Sequence, residues 1–310
     1  MRGWEFDTEV PQRGYRWWYV DALSEDGAHG ITLIAFIGTV FSPWYAWARR
    51  GGGGDPHDHC CLNVALYGAP RRWAMTDRRR GAVERGPDHF RIGPSSLEWD
   101  GDALTIRIDE RTAPFPGRIR GVVRVRPQAV STRAFTLDGH GRHTWQPIAA
   151  RSRVEVELES PSLRWSGPGY FDTNAGAAPL EEDFVGWDWC RSAQPDATAI
   201  LYNAERRDGS QQALALRVRD DGTVEDIASP PHAALPRTRW WRVGRPTRSE
   251  DGRASVIRTW EDTPFYSRSE IRTRLLGREA PAVHESLSLD RFASLAVQAL
   301  LPVKVPRPLR

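Results

Sequence analysis

Lysine is almost missing from this chain: among its 43 basic residues only Lys304 is one, so the positive charge is arginine. Those arginines alternate with Asp and Glu, the formal net charge is only +3, and no long basic stripe points to nucleic acid. Cysteine is nearly as scarce. Cys60, Cys61 and Cys190 cannot build a disulfide framework, and no secretory apolar segment opens the sequence, which points to a reducing compartment. The longest apolar run, residues 31–41, falls short of the roughly 20 residues that cross a bilayer. A Gly-rich phosphate loop, a G-x-S-x-G elbow and an H-E-x-x-H pair are all missing, and the four glycines at 51–54 read as a linker. His57-Asp58-His59-Cys60-Cys61 offers metal-ligand types, but no second cluster stands at ligand spacing. We therefore read it as a polar loop entering a buried strand at 62–67, and expect no metal.

What is present is β-pattern. Apolar and polar residues alternate at 104–109, 122–126, 154–159, 214–219 and 224–227. Asp-Gly pairs at Asp26, Asp100, Asp138, Asp208, Asp221 and Asp251 punctuate these runs as hairpin signals, that at Asp221-Gly222 being the clearest. Helices are few: one opens at Ser42-Pro43 and runs through Arg49, and another covers 289–300, capped by Ser288 and stopped by Pro302. Lys304, Arg307 and Arg310 follow it, so an apolar helix face with cations beside it could rest on lipid, or pack on its own domain. Many short strands imply barrels or sandwiches, and 310 residues suit two such domains, 1–165 and 166–310, divided within the Gly/Pro-rich stretch 161–179. A short echo hints at duplication: Val64-Ala65-Leu66-Tyr67-Gly68 against Ala199-Ile200-Leu201-Tyr202-Asn203, and Trp44-Tyr45-Ala46-Trp47 against Trp187-Asp188-Trp189.

Fourteen tryptophans are many, although most Trp in a β protein fill cores. Two fragments stand out. Gly141-Arg142-His143-Thr144-Trp145 and Gly169-Tyr170-Phe171-Asp172-Thr173-Asn174 each place a proton-handling side chain two positions from an aromatic one. In extended chain, residues i and i+2 share a face, so an imidazole, an indole, a phenol and a carboxyl could line one pocket. An acid among π-faces suits protonation of an apolar alkene. Asp172-Thr173-Asn174 can also be read as an Asx-type turn, in which Asp172 would be structural. The dense segment Tyr15-Arg16-Trp17-Trp18-Tyr19-Val20-Asp21 and the apolar run beside it either form core or wall an apolar tunnel. Trp17, Trp18, Tyr19, Phe36 and Trp187 are the candidates for contact with substrate. In 261–269, Arg268 and the nearby Arg272 are expected to neutralise Glu261 and Asp262 in an ion-pair network.

These blocks resemble the carotenoid 1,2-hydratases, or hydroxyneurosporene synthases, of carotenoid-making phototrophic bacteria. The resemblance runs in order through Trp17-Trp18-Tyr19-Val20-Asp21-Ala22-Leu23-Ser24, Ile34 to Pro43, Asn63-Val64-Ala65-Leu66-Tyr67-Gly68, Arg72-Trp73-Ala74-Met75-Thr76 and Gly141-Arg142-His143. It continues through Gly169 to Asn174, Glu261-Asp262-Thr263-Pro264-Phe265-Tyr266 and His284 to Phe292. Asp58 stands where the family pattern leads us to expect Asn, and Cys190 where it leads us to expect Ser. The resemblance implies paired lipocalin-like antiparallel β domains and a cofactor-free hydratase that adds water to the terminal 1,2 double bond of an acyclic carotene such as neurosporene or lycopene. It places the family's functional His, Trp, Tyr and Asp on His143, Trp145, Tyr170 and Asp172. It also implies a peripheral protein on the cytoplasmic side of an inner or photosynthetic membrane, with a lipid surface as partner.

The expected chemistry follows from the difficulty of the step. Water does not attack an unactivated trisubstituted alkene, so Asp172 would first protonate it to a tertiary cation. For that its carboxyl must hold a proton near neutral pH, which burial among aromatics favours. Trp145 and Tyr170 would face the cation, and His143 would either hydrogen-bond Asp172 or take the proton of the incoming water. Two other classes compete: a cofactor-free isomerase or pericyclic catalyst on the same scaffold, and a carotene carrier without turnover.

Overall fold

The structure, a computed structural model, describes residues 3–308, so Arg310 of the expected basic tail lies outside the described residues. The chain forms two compact units, 1–179 joined by 299–310, and 180–298. Both are β-rich, as the alternation of the sequence requires.

In the first unit the strands are β1 (Tyr15–Leu23), β2 (Gly30–Ile37), β3 (Cys60–Tyr67), β4 (Arg72–Ala74), β5 (Val83–Arg85), β6 (His89–Ile92), β7 (Ser95–Trp99), β8 (Leu104–Arg111), β9 (Arg118–Pro127), β10 (Phe135–Thr136), β11 (His143–Ser160) and β12 (Leu163–Gly176). They hydrogen-bond in the order β4-β3-β2-β1-β12-β11-β9-β8-β7-β6-β5, with β10 added on β11. One face is continuously apolar. Trp18, Val20, Leu33, Val64, Phe171, Phe90, Ile106 and Val123 belong to a single buried cluster although they come from opposite ends of the sheet, so the sheet curls round its own core. Helix α1 (Pro43–Arg50) starts where expected, with Ser42 Oγ accepting the Trp44 N–H.

The second unit contains α2 (Leu180–Asp183), β13 (Phe184–Ala193), β14 (Ala197–Arg206), β15 (Gln211–Arg219), β16 (Val224–Asp226), β17 (His232–Ala234), β18 (Pro246–Arg248), β19 (Ala254–Asp262), β20 (Tyr266–Leu275), β21 (Arg278–Ser288) and α3 (Leu289–Ala293). Its main sheet runs β16-β15-β14-β13-β21-β20-β19. In each unit the first strand pairs with the second on one side and with the last long strand on the other: β2-β1-β12 and β14-β13-β21. That equivalence relates β14 to β2, whereas the sequence echo had matched it to β3, and Trp44-Tyr45-Ala46-Trp47 lies in a helix while Trp187-Asp188-Trp189 lies in β13. The echo is therefore coincidental, and the repetition is one of strand order.

Other expectations need correcting. The run 31–41 leaves the sheet after Ile37. The Gly/Pro-rich stretch is mostly strand: β12 occupies 163–176, so residue 165 lies inside it and the units divide at 179/180. Its glycines are there for close approach, since a Cβ on Gly167 would stand 1.9 Å from the Leu23 carbonyl oxygen. The C-terminal helical stretch breaks at Ser294, which is extended, into α3 and α4 (Leu295–Lys304), and Pro302 sits in the last turn of α4. Of the cations that follow, Lys304 lies over the Trp73 ring, and Arg307 binds Asp77, Asp58 and His59. Both are thus engaged within the first unit. No described helix is long and apolar enough to cross a membrane.

Candidate active site

The second face of the β11–β12–β1–β2 sheet carries the aromatic and proton-handling side chains. Cross-strand pairing fixes this, because directly opposed residues point to the same side. Along β12, Gly176 is flanked by Tyr15 and His143, Asn174 by Trp17 and Trp145, and Asp172 by Tyr19 and Pro147, while Tyr170 lies beside Asp21. Next outward, Phe36 of β2 opposes Trp17. The alternation that puts Trp18, Val20 and Phe171 into the core therefore puts Tyr15, Trp17, Tyr19, Tyr170 and Asp172 on this other face, which is also buried.

The carboxyl of Asp172, 5 % exposed, is the centre of the arrangement. Its Oδ2 accepts two hydrogen bonds of 2.9 Å, one from Trp145 Nε1–H and one from the Tyr170 hydroxyl. The Asx-turn reading is thereby excluded: Asp172 is a mid-strand residue. Opposite it, Pro147 marks a break in register between β11 and β12, where the strand bulges from 147 to 149. Proline lacks the N–H that a regular ladder would need, and bulges of this kind re-aim side chains beside functional sites.

His143 is fully buried at the start of β11. The Tyr15 hydroxyl lies 2.9 Å from its Nδ1, and its ring stacks at 5.8 Å from that of Tyr15. Asp138 holds the loop leading into it, accepting the backbone N–H of His140, Arg142 and His143. Burial works against the Asp138 carboxylate, but those three N–H groups keep it below the usual range. Trp17 stacks on Tyr15 at 4.9 Å, Tyr19 meets Tyr170 edge-on at 6.2 Å, and Phe135 packs on Trp145 at 5.6 Å.

The four residues singled out from sequence, His143, Trp145, Tyr170 and Asp172, thus share one sheet face, joined there by Trp17, Tyr19 and Phe36. Trp18 does not join them. Its indole points into the apolar core, donates to the Gly3 carbonyl at 3.0 Å and packs on Phe6 and Phe90. Trp187 belongs to β13 of the second unit. Sequence reasoning missed Tyr15, Asn174 and the buried Asp21, although the two-residue period counted outward from Trp17 and Asp172 would have reached all three.

The suspected metal cluster separates. Cys60 and Cys61 are consecutive residues of β3 and so point to opposite faces; burial pushes the Cys60 thiol up to about 12. His59 lies against Asp77 and Arg307. Among the described residues no group of three or more His, Cys, Asp or Glu side chains could hold a metal ion. Arg268 of the second unit pairs with Glu285 and Arg272 with Glu279, so the ion-pair network extends to β21, while Glu261 stands directly opposite Arg268 in the register of β19 with β20.

In its overall class the molecule is a lipocalin-like all-β protein. It matches an AttH-type crystal structure from Nitrosomonas europaea with a TM-score of 0.59 at 14 % identity, covering 88 % of this chain and 92 % of that one. A second match is the kievitone hydratase from Nectria haematococca, with a TM-score of 0.52 at 10 % identity over 90 % of each chain. At such identities the likeness is one of fold. Sequence goes further: the profile of the carotenoid hydratase CrtC family matches residues 33–310. The chain is also 56 % identical to the acyclic carotenoid 1,2-hydratase of Thiocapsa roseopersicina, covering 99 % of this chain and 76 % of that protein. The enzyme of the same name from Rubrivivax gelatinosus is 48 % identical, with 97 % and 75 % covered, and that of Cereibacter sphaeroides 42 %, with 89 % and 98 % covered. This chain belongs to the carotenoid hydratase CrtC family.

Proposed function

We propose that the protein hydrates acyclic carotenes, neurosporene and lycopene among them, adding water across the terminal 1,2 double bond to give a 1-hydroxy carotenoid without a cofactor. The observation that carries this reading is the buried Asp172 carboxyl held through one oxygen by an indole and a phenol.

Both donors hold Oδ2, so the proton to be delivered rides on Oδ1. Burial favours the neutral acid in the resting site. As the proton leaves, negative charge grows on Asp172 and positive charge on the alkene. The two hydrogen bonds strengthen on the first and the faces of Trp145 and Tyr170 serve the second, each worth about 2 kcal/mol when desolvated. Because neither charge exists in the bound alkene, the stabilisation acts on the transition state.

Asp172 and His143 stand four residues apart by register, with Cα atoms roughly 13 Å apart along the strand, and the Trp145–Asn174 pair between them. That spacing favours His143 as acceptor of the water's proton over a direct bond to Asp172, since alkene and water must both fit between. In the tautomer that donates Nδ1–H to the Tyr15 oxygen, Nε2 is the basic nitrogen that would receive it. Returning the proton to Asp172 closes the cycle, and the sum is alkene plus water to tertiary alcohol.

The test is turnover of detergent-dispersed lycopene or neurosporene in oxygen-18 water, read by mass spectrometry. One labelled water per product is expected, and Asp172→Asn should bind carotene but hydrate it about 1,000-fold more slowly. An undiminished rate in Asp172→Asn would remove the acid. Product of unchanged mass would replace hydration by isomerisation or cyclisation, and bound but unchanged carotene would leave a carrier.

A further inference from the structure

We infer that the loop 237–242 of the second unit docks the protein on an anionic membrane surface, its two tryptophans entering the interfacial layer and its arginines meeting lipid phosphates. The inference rests on the hydratase reading only for its purpose, which is to bring a catalyst to a substrate dissolved in lipid.

Its sequence, Arg237-Thr238-Arg239-Trp240-Trp241-Arg242, puts two indoles among three cations. In a chain whose other large aromatics are mostly buried, Trp240 is 75 % exposed and Trp241 44 % exposed. Arg237, Arg239 and Arg242 are exposed with them, and the Arg239 guanidinium lies 5.2 Å from the centre of the Trp240 ring.

The display is built into the backbone. Thr238 and Val243, both buried, close the loop through Thr238 N–H to the Val243 carbonyl at 3.0 Å and Val243 N–H to Thr238 Oγ1 at 2.9 Å. Asp262 accepts the Trp240 and Trp241 N–H groups at 2.8 and 3.3 Å. Arg291 donates to the Trp241 carbonyl at 2.6 Å, and Arg242 takes φ 54°, which a residue other than glycine adopts only under constraint. Buried Arg245 holds the base of the loop by donating to the Pro236 carbonyl. The charges of Asp262 and Arg291, which hold the loop's backbone from beneath, are of opposite sign and offset each other, so the loop's three exposed arginines leave its outer face cationic.

Fixing two indoles in water is unfavourable unless something covers them. Indoles with an apolar body and one N–H settle at the boundary between headgroups and acyl chains, and arginine is drawn to anionic lipid. A protein partner would supply acidic side chains to meet the arginines; a membrane supplies the same charge and the apolar layer together, and it is where a carotene is found.

The experiment is co-sedimentation of the full chain with vesicles of phosphatidylcholine alone and with phosphatidylglycerol added, at low and high salt, beside hydration of carotene offered in detergent or in those vesicles. Binding to the anionic vesicles, weakened by salt, is expected. Trp240→Ala with Trp241→Ala should weaken partitioning at least about tenfold, and each Arg→Gln at 237, 239 or 242 about fivefold at low salt. Thermal stability and turnover in detergent should not change, while turnover from vesicles falls with binding. Wild-type protein that ignores anionic vesicles, or a double Trp variant that binds them equally, would overturn the inference. So would a double variant that loses self-association in sedimentation velocity while keeping vesicle binding, which would make the patch a contact between copies. Because binding is read without turnover, loss of hydration in detergent would count against the proposed function and not against the docking loop.

Discussion

The hydroxyl of Tyr15 meets Nδ1 of His143 at 2.9 Å across 128 residues of sequence, and the two rings face each other over Gly176. A phenol on β1 thereby fixes the plane of the imidazole on β11. Tyr15→Phe keeps the ring and removes the bond, so we expect a loss of about 1 kcal/mol in stability and a fall in kcat of ten- to a hundredfold with little change in KM. Thermal melts and steady-state hydration would read both. A kcat equal to that of the parent would show that His143 needs no such support.

Gly176 makes that meeting possible. A Cβ there would stand 2.3 Å from Tyr15 Cε1 and 2.6 Å from His143 Nδ1, distances that real side chains do not tolerate. Gly176→Ala should force the rings apart and lower hydration at least as far as Tyr15→Phe, without additivity in the double variant, because both act on one contact. Additive losses in a double-mutant cycle would refute the shared cause.

Two donors on one carboxylate oxygen give a graded expectation for Trp145→Phe and Tyr170→Phe. Each keeps an aromatic face and deletes one hydrogen bond to Asp172 Oδ2. Each should lower kcat by roughly 100-fold, in line with the loss of one preorganised donor to a developing anion. Carotene affinity, measured by absorbance titration, should hold within a few-fold; a collapse of binding would mean that these rings serve mainly as walls.

The second unit should carry a pH dependence of stability independent of catalysis. Desolvation pushes Asp188 up to about 8, against the hydrogen bond from Ser286 Oγ–H, which favours its carboxylate. A raised acid binds its proton more tightly folded than unfolded, so stability is full below pH 4 and is lost as pH climbs to 8. Burial also brings His284 down to about 4, and its contribution is lost as pH falls from 6.5 to 4. The two slopes oppose each other below pH 6.5. Above it the Asp188 slope is no longer opposed by His284, and its share of the unfolding free energy should drop by about 1.4 kcal/mol per pH unit toward pH 8. Urea titrations at pH 6.5 and 8 would measure this, and Asp188→Asn should flatten the line.

Arg268 is wholly buried beside Glu285, on neighbouring strands β20 and β21. Arg268→Leu strands a carboxylate in low dielectric and should cost about 3–5 kcal/mol, whereas Arg268→Leu with Glu285→Leu should recover most of it. Failure of the second change to rescue the first would mean that the pair is needed for register and not only for neutrality.

Much of the fold was legible because local patterns and tertiary environment agree. The Asp-Gly pairs at Asp26, Asp100, Asp208 and Asp221 each join adjacent paired strands with the glycine at positive φ, which is what that dipeptide is suited for. Ser42 caps α1 and Ser288 caps α3 as their hydroxyls allow. The misplaced boundary between the units has a clear origin. Glycines and prolines of β12 looked like a linker because composition reports flexibility, while here small residues serve close strand approach.

By itself the sequence determined the strands, the family and the four side chains grouped two by two within single strands, since i and i+2 share a face wherever the chain is extended. It could not determine which strands become neighbours. Trp17 and Trp18 are consecutive aromatics of equal promise in the chain, and only the register of β1 with β12 sends one to the face of Asp172 and the other to the core. Tyr15 reached His143 in the same way. Long-range pairing brings together residues that no local pattern relates, and the free energy deciding it is that of burying one sheet face whole, a quantity that belongs to the assembled sheet and to none of its strands.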